Sequence, residues 1–289
     1  MSIFNREVTE NRVSIRKIEE TLPWLLSIPI AGLYALFLGL PLALLFLISM
    51  PAEEPLANYV AVFANPDYRN SLLLSLGISV FVTIVSVILA LFMAYFIGRR
   101  DFPGKRLIVA IISFPVSLPG ILVAWAIIVM LGRSGIITQL LVFLFGGSAA
   151  QYSNAFGIIG LLVGYTYFTL PRATMSLISS FENLNSDLEE AARSLGASKL
   201  STFRHVILPE IAPGIGSAVV LSFSVCMAAF GTALLLASGE VPILPLKIYS
   251  VVLGTYDYAA ASALAVVLTI ITVGIIYGYT YFFGGEVYE

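Results

Sequence analysis

The sequence predicts an all-α polytopic membrane protein with six transmembrane helices. Hydrophobic residues make up 59% of its 289 residues and charged residues only 11%, and the mean hydropathy is +0.97. Six stretches reach the roughly 20 apolar residues that a helix needs to cross the hydrocarbon core of a bilayer. Basic residues cluster in every second connection between those stretches, which is typical of a chain that crosses the membrane repeatedly.

The predicted chain has three parts: a polar N-terminal segment (1–21), a transmembrane region (22–283) and a short tail (284–289). The run Ile136–Phe145 is apolar, but its ten residues are too few to span the membrane, so we expect an interfacial helix on the outer face. The six predicted spans cover residues 22–50, 71–98, 107–131, 155–178, 212–237 and 259–283.

The 15 basic residues predict the orientation of the chain. Four precede the first span, four lie between the second and third, four belong to the connection between the fourth and fifth, and three fall in the alternate loops. Since cytoplasmic loops carry an excess of Lys and Arg, we expect both termini and the fourth connection in the cytoplasm. A seventh span at 136–145 would spread the basic residues more evenly over the two sides.

Composition also excludes several classes of protein. A net charge of −2 does not indicate a nucleic-acid partner. The single cysteine, Cys226, lies in an apolar run, so we expect neither a disulfide framework nor a thiolate metal site. His205 is the single histidine, and no nucleophile–base pair or carboxylate pair stands out, so the sequence does not predict an enzyme.

Two of the predicted spans carry unusual residues. Pro115 and Pro119 interrupt the third span and free backbone carbonyls in the middle of the membrane. Such backbone is tolerated where it is buried in protein or lines a water-filled cavity, so the segment is either a packing kink or a wall of a solute path. Small and hydroxyl residues in the fifth span, such as Ser222 and Thr232, pack helices together or border the same path.

One polar stretch, residues 185–209, stands between apolar segments. Ser186 and Glu189 have the S-x-x-E spacing of a capping box at a helix start. Gly196 stands where a left-handed residue would end that helix. One apolar face with the i, i+3, i+4, i+7 spacing of a helix comprises Leu188, Ala191, Ala192 and Leu195.

A second short helix is predicted to open at Ser198, with Leu200, Phe203 and Ile207 on one side and Pro209 as its limit. A helix of about nine residues is marginal in water by itself, so the apolar face of the first helix needs a surface to lie against. Two interpretations stay open at this point. The stretch packs on its own membrane helices, or it docks onto another protein.

The spacing within this stretch resembles a known motif. Glu190-Ala191-Ala192, three residues, Gly196, nine residues, Val206, one residue and Leu208-Pro209 are similar to the EAA loop of ABC importer permeases, E-A-A-x3-G-x9-I-x-L-P. Val206 replaces the usual isoleucine and keeps a β-branched apolar side chain.

The resemblance implies the transmembrane domain of a type I ABC importer. It implies a second permease subunit, the same chain or a related one, an ABC ATPase dimer that docks on the stretch, and a periplasmic or lipid-anchored substrate-binding protein. The residues that it implies for contact with the ATPase are Glu189, Glu190, Ala191, Ala192, Leu195, Gly196, Leu200, Phe203, Val206, Leu208 and Pro209. The residues that it implies for the translocation path are Ser117, Pro119, Ser224, Met227, Phe230, Gly231 and Thr232.

ATP and magnesium are expected in the partner ATPase and no cofactor in this chain. The turn with Gly98, Gly104 and Lys105 lacks the G-x4-G-K-[ST] spacing of a phosphate-binding loop. The sequence of residues 238–267 resembles the branch of this permease family that serves polyamines, ferric iron, 2-aminoethylphosphonate, sulfate and thiamine. This resemblance implies a small polar solute. The alternatives are an ion-coupled secondary carrier or channel, which more often has a carboxylate inside a span, and a structural scaffold.

Overall fold

The computed structural model describes residues 27–237 and 239–283. The predicted segments 1–21 and 284–289 lie outside the described residues, as does the start of the first predicted span. The described part of the chain forms helices and connecting turns and has no strand, which confirms the all-α fold class.

The first three helices are α1 (Ser27–Ser49), α2 (Ala57–Ala64) and α3 (Pro66–Gly98). A π-helical turn interrupts α1 at Ala35–Gly39. Helix α3 begins before the predicted boundary because its start is well capped. The Asn65 side chain accepts a hydrogen bond from the backbone N–H of Asp67 at 2.9 Å, and a proline fills the first helical position, where its missing N–H is harmless.

The third predicted span is broken, as its prolines indicated. It consists of α4 (Lys105–Ser113), a 3₁₀ turn (Phe114–Ser117) and α5 (Gly120–Leu131). Helices α6 (Ile136–Phe145) and α7 (Ala149–Tyr152) follow. By length and apolar composition, Gly120–Phe145 forms one candidate span. This division differs from the prediction, which joined α4 to α5 and left α6 at the interface.

The second half of the chain contains a long helix, α8, followed by the polar stretch and the last membrane helices. The predicted fifth span is also broken, between α11 and α12, at Ala229 and Phe230. These elements are α8 (Gly157–Glu182), α9 (Ser186–Ser194), α10 (Lys199–Glu210), α11 (Ala212–Ala228), α12 (Gly231–Leu236), α13 (Leu244–Thr255) and α14 (Tyr258–Phe283).

The described helices do not reproduce the predicted count of six spans one for one. Four are long and apolar enough to cross a membrane, and a fifth is counted if α10 and α11, bent by 64°, form one span. Helix α8 has 26 residues, but Arg172 and several hydroxyl side chains lower its hydropathy. The protein is nevertheless multi-pass by any of these counts.

Helices α3, α8 and α11 form the centre of the bundle and pack along one another. Helix α3 contributes to three buried clusters, through Leu72, Val82 and Ala94 among others. Several buried contact positions are small, including Ala90, Ala173 and Ala218, which allows helix backbones to approach closely in a membrane protein. The cluster that contains Ala94 also includes Ile207 of α10, so the polar stretch is attached directly to the core.

Candidate functional site

Helix α9 opens one residue earlier than its predicted capping box. Its N-cap is Asn185, whose side chain accepts a hydrogen bond from the backbone N–H of Asp187 at 2.9 Å. Asn and Ser are both good N-cap residues, and Asn185 precedes Ser186. Ser186 is therefore the first helical residue rather than the N-cap that the predicted capping box required, and the Glu189 carboxylate pairs with arginine side chains.

The end of α9 is the one that Gly196 predicted. Gly196 has φ +84°, in the left-handed region that glycine adopts without steric cost. Its N–H donates to the carbonyl of Arg193 at 2.9 Å, and the N–H of Ala197 donates to the carbonyl of Ala192 at 3.1 Å. These two bonds form a Schellman motif, which turns the chain sharply between α9 and α10.

The predicted apolar face of α9 points away from the bundle. Leu195 is 89% exposed and Leu188 44% exposed, while Ala191 and Glu190 are exposed beside them and Ala192 is half-buried. Asp187 and Arg193 are exposed on the same short helix, so its surroundings are polar. An exposed apolar strip with a polar rim marks an interaction surface, and this geometry disfavours the interpretation in which α9 packs on its own membrane helices.

Glu189 faces the opposite way and is 9% exposed. One carboxylate oxygen pairs with the guanidinium of Arg99, at the end of α3. The other accepts a hydrogen bond from Arg193, one turn further along α9, at 2.5 Å. Glu189, which the sequence grouped with the ATPase-contact residues, thus makes an intramolecular contact. Nothing in the residue pattern of α9 indicated Arg99, which counted only as a basic residue of a cytoplasmic turn.

Helix α10 opens at the predicted N-cap, Ser198, whose side chain accepts from the N–H of Ser201 at 3.3 Å. The residues of its predicted apolar side lie in two different environments. Phe203 packs edge-to-face on Tyr95 of α3 at 5.9 Å and Ile207 is 2% exposed, whereas Leu200 is 76% exposed.

A π-helical turn, Phe203–Ile207, lies within α10, which continues past the predicted limit to Glu210. Of the remaining motif residues, Val206 and Leu208 are half-buried, and Pro209 is exposed.

The two broken helices meet each other. The Thr232 hydroxyl, at the start of α12, donates a hydrogen bond to the carbonyl of Gly120, at the start of α5, at 3.0 Å. A Cβ on Gly120 would lie 2.7 Å from that hydroxyl oxygen, so the approach requires glycine. The Tyr165 hydroxyl of α8 donates to the carbonyl of Ala229, in the α11–α12 break, at 2.6 Å. The Tyr165 side chain therefore satisfies a backbone carbonyl that the α11–α12 break leaves free, and the Thr232 hydroxyl joins the two broken helices.

Arg172 of α8 joins the same region. Its guanidinium donates to the carbonyl of Phe168 at 2.5 Å and to that of Val116, in the 3₁₀ turn, at 3.2 Å. It also lies 4.0 Å above the Phe168 ring, a distance typical of a cation–π contact. The sequence placed Arg172 only at the end of a span and did not indicate Tyr165, because the bonds from Arg172 to Val116 and from Tyr165 to Ala229 are long-range.

The predicted path residues occupy two environments. Ser117 and Pro119 are exposed at the α4–α5 break, and Gly231 is half-buried against α5. The Phe230 ring packs at a tilt against that of Tyr249, with 5.2 Å between the ring centroids, and lines an apolar cavity of about 530 Å³. The remaining three are enclosed: Met227 is 0% and Thr232 1% exposed, and the Ser224 hydroxyl is buried without a hydrogen-bond partner among the described residues. Their role in a path stays a prediction.

The fold and this arrangement define a class: a multi-pass helical membrane protein with broken helices in its core and a short helix, α9, whose apolar face is exposed. The family described as binding-protein-dependent transport system inner membrane component matches residues 86–282. The chain belongs to this family.

Relatives with known names are permeases. The molybdenum transport system permease protein ModB of Haemophilus influenzae is 33% identical over 180 residues, which are 61% of this chain and 76% of that one. The sulfate transport system permease protein CysT of Salmonella typhimurium is 30% identical over 81% of this chain and 82% of its own. The thiamine transport system permease protein ThiP of Escherichia coli is 28% identical over 86% of this chain and 46% of its own.

Solved structures agree on the fold. A bacterial ABC transporter involved in the import of the acidic polysaccharide alginate contains a chain with a TM-score of 0.75 and 16% identity, covering 92% of this chain and 96% of that chain. The same values of TM-score and identity hold for the alginate transporter in complex with an alginate pentasaccharide-bound periplasmic protein. These matches establish an ABC importer permease fold.

Proposed function

We propose that the chain is the permease subunit of an ATP-driven importer and that α9 is its docking element for a separate ATPase. The observation that carries this proposal is the exposed apolar face of α9. Leu188, Ala191 and Leu195 are exposed on or at the end of a helix whose other exposed residues include the charged Asp187, Glu190 and Arg193. A lipid-facing helix would not carry those charges, and a helix packed on its own bundle would not expose those leucines.

The partner chains supply what this chain lacks. ATP and magnesium are bound by an ABC ATPase dimer, and this chain itself holds no cofactor. A second permease, the same chain or a related one, completes the path. A periplasmic or lipid-anchored binding protein delivers the solute, and the family description and the alginate complex both support such a partner.

The proposed mechanism is a shift between two states of the path. Closure of the ATPase dimer on ATP moves the two docking helices and favours one opening of the path over the other. A ligand shifts such an equilibrium only through its differential affinity for the two states. The distribution of basic residues supports placing both termini and the stretch 185–209 in the cytoplasm, in the plasma (inner) membrane of a bacterium.

The proposed substrate is a small polar solute such as a polyamine, 2-aminoethylphosphonate, ferric iron, sulfate or thiamine. The sulfate and thiamine relatives support this branch, and the molybdenum relative adds a further system to it. In the described helices, Asp67 and Glu182 lie in terminal turns of α3 and α8. That arrangement disfavours the alternative, an ion-coupled carrier or channel, which more often has a carboxylate inside a span.

The test is retention of the ATPase by the tagged chain, purified in mild detergent and measured by quantitative mass spectrometry. Glu190→Lys and Leu195→Asp change the exposed face of α9, and we expect both to release the ATPase while the permease stays inserted. The control is Glu210→Lys, the same charge reversal at an exposed position at the end of α10, which should keep it. Undiminished retention by both α9 variants would count against docking through this face.

A further inference from the structure

The attachment of α9 to the rest of the bundle is narrow. Helix α9 packs on α10 and its π-helical turn, and among the described residues the buried hydrophobic clusters draw no member from it. Helix α10, by contrast, places Ile207 in the cluster formed by α3 and α8. The connection from α9 to α3 runs through the side chains of Glu189 and Arg99.

Arg99 is well placed to receive that contact. It is the C-cap of α3, and its N–H donates to the carbonyl of Tyr95 at 3.3 Å. A positive side chain is favoured at the carboxyl end of a helix by the helix dipole. The Arg99 side chain is 21% exposed and that of Glu189 11%, so water screens the pair less than it would a surface ion pair. Helix α3 in turn reaches all three buried clusters.

A second ion pair holds the turn that contains Arg99. Lys105, at the start of α4, lies 3.1 Å from Glu182 at the end of α8 and 3.6 Å from Asp101. The hydrogen bond to Glu182 raises the pKa of Lys105 above its ordinary value. The α3–α4 turn is thus bonded to α8 on one side and to α9 on the other.

We propose that the Glu189–Arg99 ion pair is a latch that makes α9 and α3 move as one body. The inference rests on the proposed function, because it describes how force on the docking helix enters the bundle. Glu189 is then a positioning residue rather than an ATPase contact. Helix α3 packs on α8 and α11, which carry Tyr165 and the α11–α12 break, so its displacement would reach the broken helices.

The experiment measures the distance between α9 and α3 in the complete transporter complex. Spin labels are attached at Ser194→Cys on α9 and Phe92→Cys on α3, both exposed positions; Cys226 is buried and stays. Pulsed electron paramagnetic resonance then compares the nucleotide-free complex with the complex trapped by ATP and vanadate. With the latch intact, we expect the same narrow distance distribution in both states.

Glu189→Gln and Arg99→Gln should each shift or broaden that distribution between the two states while the ATPase stays bound. Arg193→Gln is the matched control, because it removes the other partner of the same carboxylate from within α9 and should behave as the unmodified complex. Inverting all three charges, with Glu189→Arg, Arg99→Glu and Arg193→Glu, should restore the narrow distribution, which a variant that had merely lost its fold would not do.

The latch is overturned if Glu189→Gln keeps the unmodified distance in both states, or if the distance in the unmodified complex itself changes with ATP. Retention of the ATPase is a separate readout. If the unmodified permease retains no ATPase, the proposed function is refuted and the latch with it. If the ATPase is retained but Glu189→Gln leaves the distance between α9 and α3 unchanged, the latch alone is refuted.

Discussion

The polar stretch and the helix breaks differ in whether the described part of this chain covers their side chains and backbone groups. In the stretch, the apolar side chains Leu195 and Leu200 are turned outward, 89% and 76% exposed. At the breaks, the free carbonyl of Ala229, which would be costly in a membrane, accepts a hydrogen bond from Tyr165, and Thr232 joins the two breaks. In the first region the described residues leave apolar side chains uncovered, and in the second the bonding partners lie within this chain. The comparison supports the proposed docking surface on α9, and it shows that contacts within the chain hold the breaks.

The largest expected effect is a loss of stability at the buried face of the polar stretch, compared with its exposed face. Ile207→Ala removes a side chain that is 2% exposed and packed in the core, and we expect it to lower the free energy of unfolding by about 2–5 kcal/mol. Leu200→Ala, at an exposed position of the same helix, should change it by less than about 0.5 kcal/mol. Chemical denaturation of the purified chain in detergent measures both. Equal effects would mean that α10 is not anchored in the core.

A smaller effect tests whether the breaks are complete within the chain. Tyr165→Phe removes the donor to the Ala229 carbonyl, and leaving that buried acceptor unpaired should cost about 1–3 kcal/mol in the same assay. Tyr167→Phe is the control, since Tyr167 lies two residues away with its side chain 39% exposed and should be nearly neutral. A neutral Tyr165→Phe would show that the α11–α12 break does not depend on this bond.

The smallest effect concerns the turn between α9 and α10. Gly196→Ala forces an alanine into the left-handed region and should cost about 1–2 kcal/mol. Gly274→Ala is matched to it, because a Cβ meets nothing within 4 Å at either position and only Gly196 has a positive φ. We expect Gly274→Ala not to destabilise the chain. If both substitutions had the same effect, the left-handed turn would not be the reason for glycine at position 196.

The residue pattern predicted helix starts, turns and breaks correctly wherever the interactions that determine them are local. The start of α10 at Ser198, the left-handed Gly196 and the interruption of the third span by its prolines all depend on neighbours a few residues apart. The boundary of α9 was misplaced by one residue because Asn185 and Ser186 are both good caps. The predicted bounds of the membrane spans were less accurate. Arg172 and hydroxyl side chains lower the hydropathy of α8, and the join between α5 and α6 depends on the geometry of a turn.

The sequence by itself determined a multi-pass helical protein, the motif that resembles the EAA loop and its helix–turn–helix form, because hydropathy, proline and glycine act over short distances. The tertiary structure alone decided which side of that motif is free. It turned Glu189 and Phe203 toward α3 and left Leu195 exposed. It also joined the two breaks through Thr232 and Gly120, which are 112 residues apart. Such pairings depend on how helices pack in space, and a single sequence carries no local signal for them.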